Sequence, residues 1–213
     1  FDPEAGPKPT YVADLKGAAS VAHVHGKRWV GAEAFTSFDR PWPRFDEARW
    51  PATRDYLHLL SQMLGKLRIA LAPPLPEWFH ASLALTPRGL TTRLLPIEAG
   101  AIEASLDLID GVIQLSATEG RRKTVSLVPA RPIAAIWTDL RTALDDLGVA
   151  ADLWDKPQER ADATPFSLDE RARDFDPALA AGWLALITEI HATFEAWRSP
   201  FFGRSGVNFW WGG

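Results

Sequence analysis

Hydrophobic and polar residues alternate most regularly between residues 102 and 127. Ile102, Ala104, Leu106 and Leu108 interleave with Glu103, Ser105 and Asp107, the period of two that turns one face of a strand to a core and the other to water. Asp110-Gly111 follows and predicts a tight hairpin turn, because both central positions of such a turn tolerate positive φ. Ile113, Leu115 and Ala117 resume the alternation, Glu119-Gly120 turns the chain again, and Val125 and Leu127 complete an antiparallel meander.

Around this meander the period changes to that of a helix. Leu57, Leu60, Met63 and Leu64 predict a helix from Thr53 to Leu64, with Gly65 as its stop. Ile133, Ile136, Trp137, Leu140, Leu144 and Leu147 form a second apolar stripe, ended by Gly148. Asp176-Pro177 reads as an N-cap followed by proline in the first turn. The helix it opens runs to Arg198, with Trp183, Leu186, Ile187, Ile190, Phe194 and Trp197 facing inward. Shorter strands are expected at 66–72, 79–85, 90–96 and 149–154, and a charged loop at 155–174.

These elements predict an α+β fold over residues 43–213, an antiparallel meander sheet packed against two or three amphipathic helices. Residues 1–42 have a different texture. They combine a Pro- and Gly-rich lead-in, a small-residue segment from Val12 to His23, a short apolar strand from Trp29 to Phe35, and a proline-rich join around Pro41, Pro43 and Pro51. A loosely attached N-terminal fragment and linker is expected there.

Composition narrows the function classes. The net charge is −4, with acids outnumbering bases, so a nucleic-acid partner is not expected. No apolar run approaches the ~18 residues of a membrane span. With no cysteine in the chain, disulfides, thiolate catalysis and cysteine-ligated metals are excluded. Together with the lack of a leader-like start, this points to the cytoplasm. Ten Trp against two Tyr indicate broad flat packing surfaces, with Trp137, Trp183 and Trp197 at the clearest core positions.

Chemical motifs are sparse. Gly65-Lys66 lacks the upstream glycine and the following Ser or Thr of a phosphate-binding loop. His23 and His25 share a strand spacing used by metal sites, but no third ligand is evident, so no metal and no cofactor is expected. His80, on the strand face shared with Ser82, stands near Trp78 and Arg88 in the chain. Trp78, His80, Arg88 and Thr91 are therefore the candidate ligand-binding residues, around a pocket between the sheet and the helices. Arg121-Arg122-Lys123 reads as a solvated turn, and Gly203-Arg204-Ser205-Gly206 as a plain loop.

Two resemblances follow from longer stretches. The segment from Lys16 to Lys27 and that from Val30 to Ser37 resemble part of α-L-rhamnosidase-like glycoside hydrolases. That resemblance implies a helix leading to a barrel strand, with Glu33 as the carboxylate at the strand's end. Glycosidic hydrolysis needs two opposed carboxylates on a complete barrel, and this stretch holds one. The rest of the chain resembles a bacterial family known only as a domain of unknown function. Its pattern shows in Trp50-Pro51-Ala52-Thr53, Gly65-Lys66-Leu67-Arg68, Arg88-Gly89-Leu90-Thr91-Thr92, Trp197-Arg198 and Asn208-Phe209-Trp210-Trp211-Gly212. That resemblance implies a domain truncated in a closing strand, and brings with it no activity, cofactor or partner.

The leading expectation is a domain that binds a small molecule in the pocket of His80 and Arg88. The alternatives are a hydrolase remnant acting through Glu33 and a structural or interaction module; whether the chain is an enzyme stays open.

Overall fold

The computed structural model describes residues 45–198 and 206–210, residue 43, and the backbone of residues 23–24 and 27–28. They fall into two compact units, one of residues 44–188 and 208–213, the other of residues 1–43 and 189–207. In the smaller unit, β1 (His23–Val24) and β2 (Lys27–Arg28) pair antiparallel, His23 opposite Arg28. That strand takes in the end of the segment read as running from Val12 to His23.

The larger unit is the α+β fold expected. It contains α1 (Trp50–Leu71), a 3₁₀ segment (Pro76–Ala81), and the strands β3 (Ala84–Thr86), β4 (Gly89–Thr91) and β5 (Leu95–Ile97). Then come β6 (Gly100–Asp107), β7 (Val112–Ala117), β8 (Arg122–Ser126), α2 (Ile133–Asp146), a 3₁₀ turn (Phe166–Leu168), and α3, which spans Pro177–Arg198. The sheet is antiparallel throughout, in the order β3-β4-β6-β7-β8, with β5 paired to the first half of β6.

The meander forms where the alternation placed it. Ile102, Ala104, Leu106, Ile113, Leu115, Val125 and Leu127 are buried, each large aliphatic contributing about 1.5–3 kcal/mol. The first turn differs from the expected two-residue loop. Asp107 pairs with Val112 across a four-residue connection, and only Gly111 within it has positive φ, at 64°. The Asp107 carboxylate accepts the amides of Ile109 and Asp110, both at 2.9 Å, and this local bonding draws two more residues into the loop.

Four further expectations are corrected. The segment 66–72 is not a strand, because α1 continues through Gly65 to Leu71. Its residues 59–68 are all buried, so the helix is enclosed on every side and has no wet face to mark its period. It stops at Pro73-Pro74, where the residue before proline is forced out of the helical region; Ala72 has ψ 142°. The segment 79–85 is divided: Phe79, His80 and Ala81 end the 3₁₀ turn started by Pro76, in which Glu77 and Trp78 have positive φ, and only Ala84 and Leu85 lie in β3. The segment 90–96 is split into β4 and β5 by Arg93, at φ 58°. There the Thr92 amide donates to the Ala104 carbonyl and the Thr92 hydroxyl accepts the Ala104 amide, both at 2.9 Å, so register survives the break. Residues 149–154 form no strand, although Val149 and Leu153 are buried.

The two later helices begin and end as their caps predict. Asp176 Oδ1 accepts the amides of Ala178 (2.9 Å) and Leu179 (3.3 Å) at the start of α3, and Gly148 takes φ 72° after α2. The inward stripe of α3 is shorter than expected. Ala180 and Leu184 join the core with Trp183 and Ile187 against it, whereas Phe194 and Trp197 are exposed, Trp197 at 69%. From residue 189 the helix belongs to the smaller unit.

Candidate functional site

One face of α1 builds the site. Trp50, Arg54, Leu57, His58 and Ser61 follow the spacing i, i+4, i+7, i+8, i+11 and line a cavity of about 380 Å³. Leu90 of β4 and Leu106 of β6, register partners in the sheet, form its floor. Trp183 of α3 and Phe209 and Trp210 of the last described segment supply the remaining walls. The aromatic side chains brace one another. Trp50 stacks on Trp183 at 5.9 Å with planes 27° apart, and Trp183 meets Phe209 edge-on at 5.7 Å. Phe209 is anchored by exchanging two backbone hydrogen bonds with Leu83, each 2.9 Å.

The polar side chains gather on one edge. Ser61 donates to the His58 carbonyl at 2.9 Å. Gln62 exchanges two hydrogen bonds with the backbone of Gln158, both 2.7 Å, which fixes its amide so that Nε2 points at His58 Nε2, 2.9 Å away. Arg160 Nη1 lies 3.3 Å from His58 Nδ1. Arg54 bonds its neighbour Asp55 through Nε (3.1 Å) and Nη2 (3.0 Å), and Arg160 reaches the same carboxylate at 3.9 Å. The lining thus sets Arg54, His58 and Ser61 beside apolar walls, a composition that small-molecule sites share.

The residues singled out from sequence lie elsewhere. His80 and Trp78 do come together, with rings stacked 5.4 Å apart, but in the 3₁₀ turn and not on a strand face. His80 Nδ1 accepts the Leu75 amide at 3.1 Å, while Trp78 is exposed. Arg88 is engaged by Asp107 and by Asp110 (2.6 Å). Burial pushes the Asp107 carboxyl upward, but the hydrogen bonds from Arg88 and from the amides of Asp110 and Ile109 outweigh it and hold the group below the usual carboxylate range. Thr91 donates to Glu103 at 2.5 Å. None of these four lines the cavity of Trp50 and Trp183. Glu33 lies outside the described residues.

Two buried cations of α1 also went unnoticed in the sequence. Arg68 donates to the carbonyl of His80 (2.7 Å) and to that of Thr92, tying both irregular segments to the helix. Lys66 is 3% exposed and sits beneath the Trp154 ring, 4.6 Å from its centroid, and 5.9 Å from that of Phe166. Burial pushes its ammonium down to about 8, against a smaller upward pull from Asp155.

Among the described residues, no three or more metal-ligating side chains come together, and no helix is long and apolar enough to cross a membrane.

No curated protein and no solved structure matches this chain. A family of unknown function does match, over residues 42–213, which takes in α1, the whole sheet and the cavity. The chain belongs to that family, DUF5996.

Proposed function

We propose that residues 43–213 act as a binding module for a small molecule, held in the cavity between α1, the sheet and the first half of α3. The observation that carries this reading is the cavity itself, about 380 Å³, a volume within the range of ordinary ligand sites. Its walls support the reading as well. Four aromatic side chains and three leucines would take an apolar body, and Arg54, His58 and Ser61 on one edge would fix its orientation.

The proposed role of Trp78, His80, Arg88 and Thr91 is structural: they fasten the turn at 76–81 and the hairpin at 107–110.

The test uses N-phenyl-1-naphthylamine, an uncharged dye that brightens in apolar sites. Saturable one-to-one binding to the full chain is expected, with loss of binding in Leu90→Trp, which places an indole on the cavity floor. Unsaturable binding, or equal binding by a folded Leu90→Trp variant, overturns the proposal.

A further inference from the structure

We infer that the ligand of this cavity is a planar apolar molecule carrying an anionic group, which seats against Arg54. This inference rests on the cavity reading above and goes on to the chemistry of what fills it.

Two features of the walls set the ligand's shape. Trp50 and Trp183 lie nearly parallel, 27° apart, and Phe209 stands edge-on to Trp183 at 82°. Such a corner is complementary to a flat ring system, which gains offset-stacked and edge-to-face contacts together. The floor of Leu90 and Leu106 is aliphatic and fully buried, so the inner end of the ligand is apolar.

The charge of the lining then decides between two ligand classes. Aromatic walls alone suit a cation, as in sites for quaternary ammonium groups. Here, however, the ten lining residues include one guanidinium, Arg54, and no carboxylate. The carboxylate next to them, Asp55, is already shared by Arg54 and Arg160, so the edge holds two arginines against one acid. A cation entering this edge meets like charge. An anion meets the Arg54 guanidinium, whose planar fork suits carboxylate, sulfonate or phosphate oxygens. Behind it, Gln62 Nε2 lies 2.9 Å and Arg160 Nη1 3.3 Å from the two ring nitrogens of His58, one of which accepts in the neutral ring, so these contacts hold the imidazole in place.

The experiment compares two dyes built on the same rings, N-phenyl-1-naphthylamine and 8-anilinonaphthalene-1-sulfonate, with benzyltrimethylammonium as the cationic probe. Each is titrated into the full chain by fluorescence or calorimetry at low ionic strength. The sulfonate dye is expected to bind about fivefold tighter than the uncharged one. It should displace the uncharged dye one for one, and its advantage should shrink in 0.5 M NaCl. Arg54→Gln is expected to abolish the sulfonate preference, read as the ratio of the two dyes' affinities for the same variant; this exposed position tolerates the change without unfolding. Equal affinity for the two dyes in the unaltered chain, or tighter binding of benzyltrimethylammonium, overturns the anion assignment while the cavity reading stands. Failure of both dyes to bind saturably takes down the cavity reading itself, so the two failures are told apart.

Discussion

The first twelve residues of α1 and the ten that follow share one helix but treat their polar side chains in opposite ways. From Gln62 to Arg68 the helix is enclosed, and each polar group meets a protein partner: Gln62 the backbone of Gln158, Arg68 two carbonyls, Lys66 two aromatic faces. From Trp50 to Ser61 the same helix turns Arg54, His58 and Ser61 toward a cavity. One stretch uses polarity to hold irregular backbone in place; in the other, Arg54, His58 and Ser61 bond residues close by and also line the cavity. Burying a polar group is destabilising unless it is hydrogen-bonded, so the enclosed half should be sensitive to substitution and the cavity half tolerant.

The widest gap is expected at Arg68. Arg68→Met leaves the buried carbonyls of His80 and Thr92 without their donor, and unpaired buried groups cost about 1–3 kcal/mol each. A loss of about 3 kcal/mol is expected in urea unfolding, and a loss below about 1 kcal/mol would erase the contrast between the halves. Gln62→Leu comes next. It strips both hydrogen bonds from the Gln158 backbone, and the expected loss is about 2 kcal/mol, with faster amide exchange at Gln158.

Lys66 sharpens the comparison by going the other way. Its ammonium is held at about 8 in the fold, against about 10.4 in an unfolded chain. The folded state therefore binds fewer protons between those values, and stability from this group rises as pH climbs from 8 toward 10.4. Below pH 8 the buried charge is a standing penalty, offset in part by the rings of Trp154 and Phe166. Lys66→Met should accordingly stabilise the chain by about 1–2 kcal/mol at pH 7. The gap between the two proteins should close by pH 10. A gap that widens with pH would mean that the charged form is the favoured one.

The smallest effect belongs to the cavity half. Arg54→Ala should change stability by no more than about 0.5 kcal/mol, although the same position is the proposed seat of the ligand's anionic group. Thermal unfolding beside the Arg68 and Gln62 variants gives the ranking directly.

Much of the fold was legible because its elements keep one wet face. The meander at 102–127 and the stripe of α2 show their periods plainly, and Asp176-Pro177 marks the start of α3 without ambiguity. The errors cluster where that contrast is missing. The second half of α1 is apolar or buried all round, so its helical period has no polar phase and Gly65 reads as an end. The 3₁₀ turn at 76–81 imitates strand alternation in sequence, while the left-handed Glu77 and Trp78 are residues that ordinarily avoid such conformations. The cavity was the least legible part. Its lining comes from five separate stretches, and its strongest local signal, the spacing of Trp50, Arg54, His58 and Ser61, was hidden by placing the helix start at Thr53 and treating Trp50 as linker. Trp183 was assigned inward correctly, but as packing and not as a wall.

The bridge between Leu83 and Phe209 has a consequence for how occupancy could be read out. Phe209 joins the sheet through two hydrogen bonds and the cavity through its ring, so one residue belongs to both. The proposed ligand, resting on that ring, would favour the state in which the bridge is closed, by mass action. Solvent exchange at the amides of Leu83 and Phe209 should slow as the cavity fills, while exchange in β7, at the centre of the meander, stays as it was. A single pair of amides would then report whether the proposed site is filled.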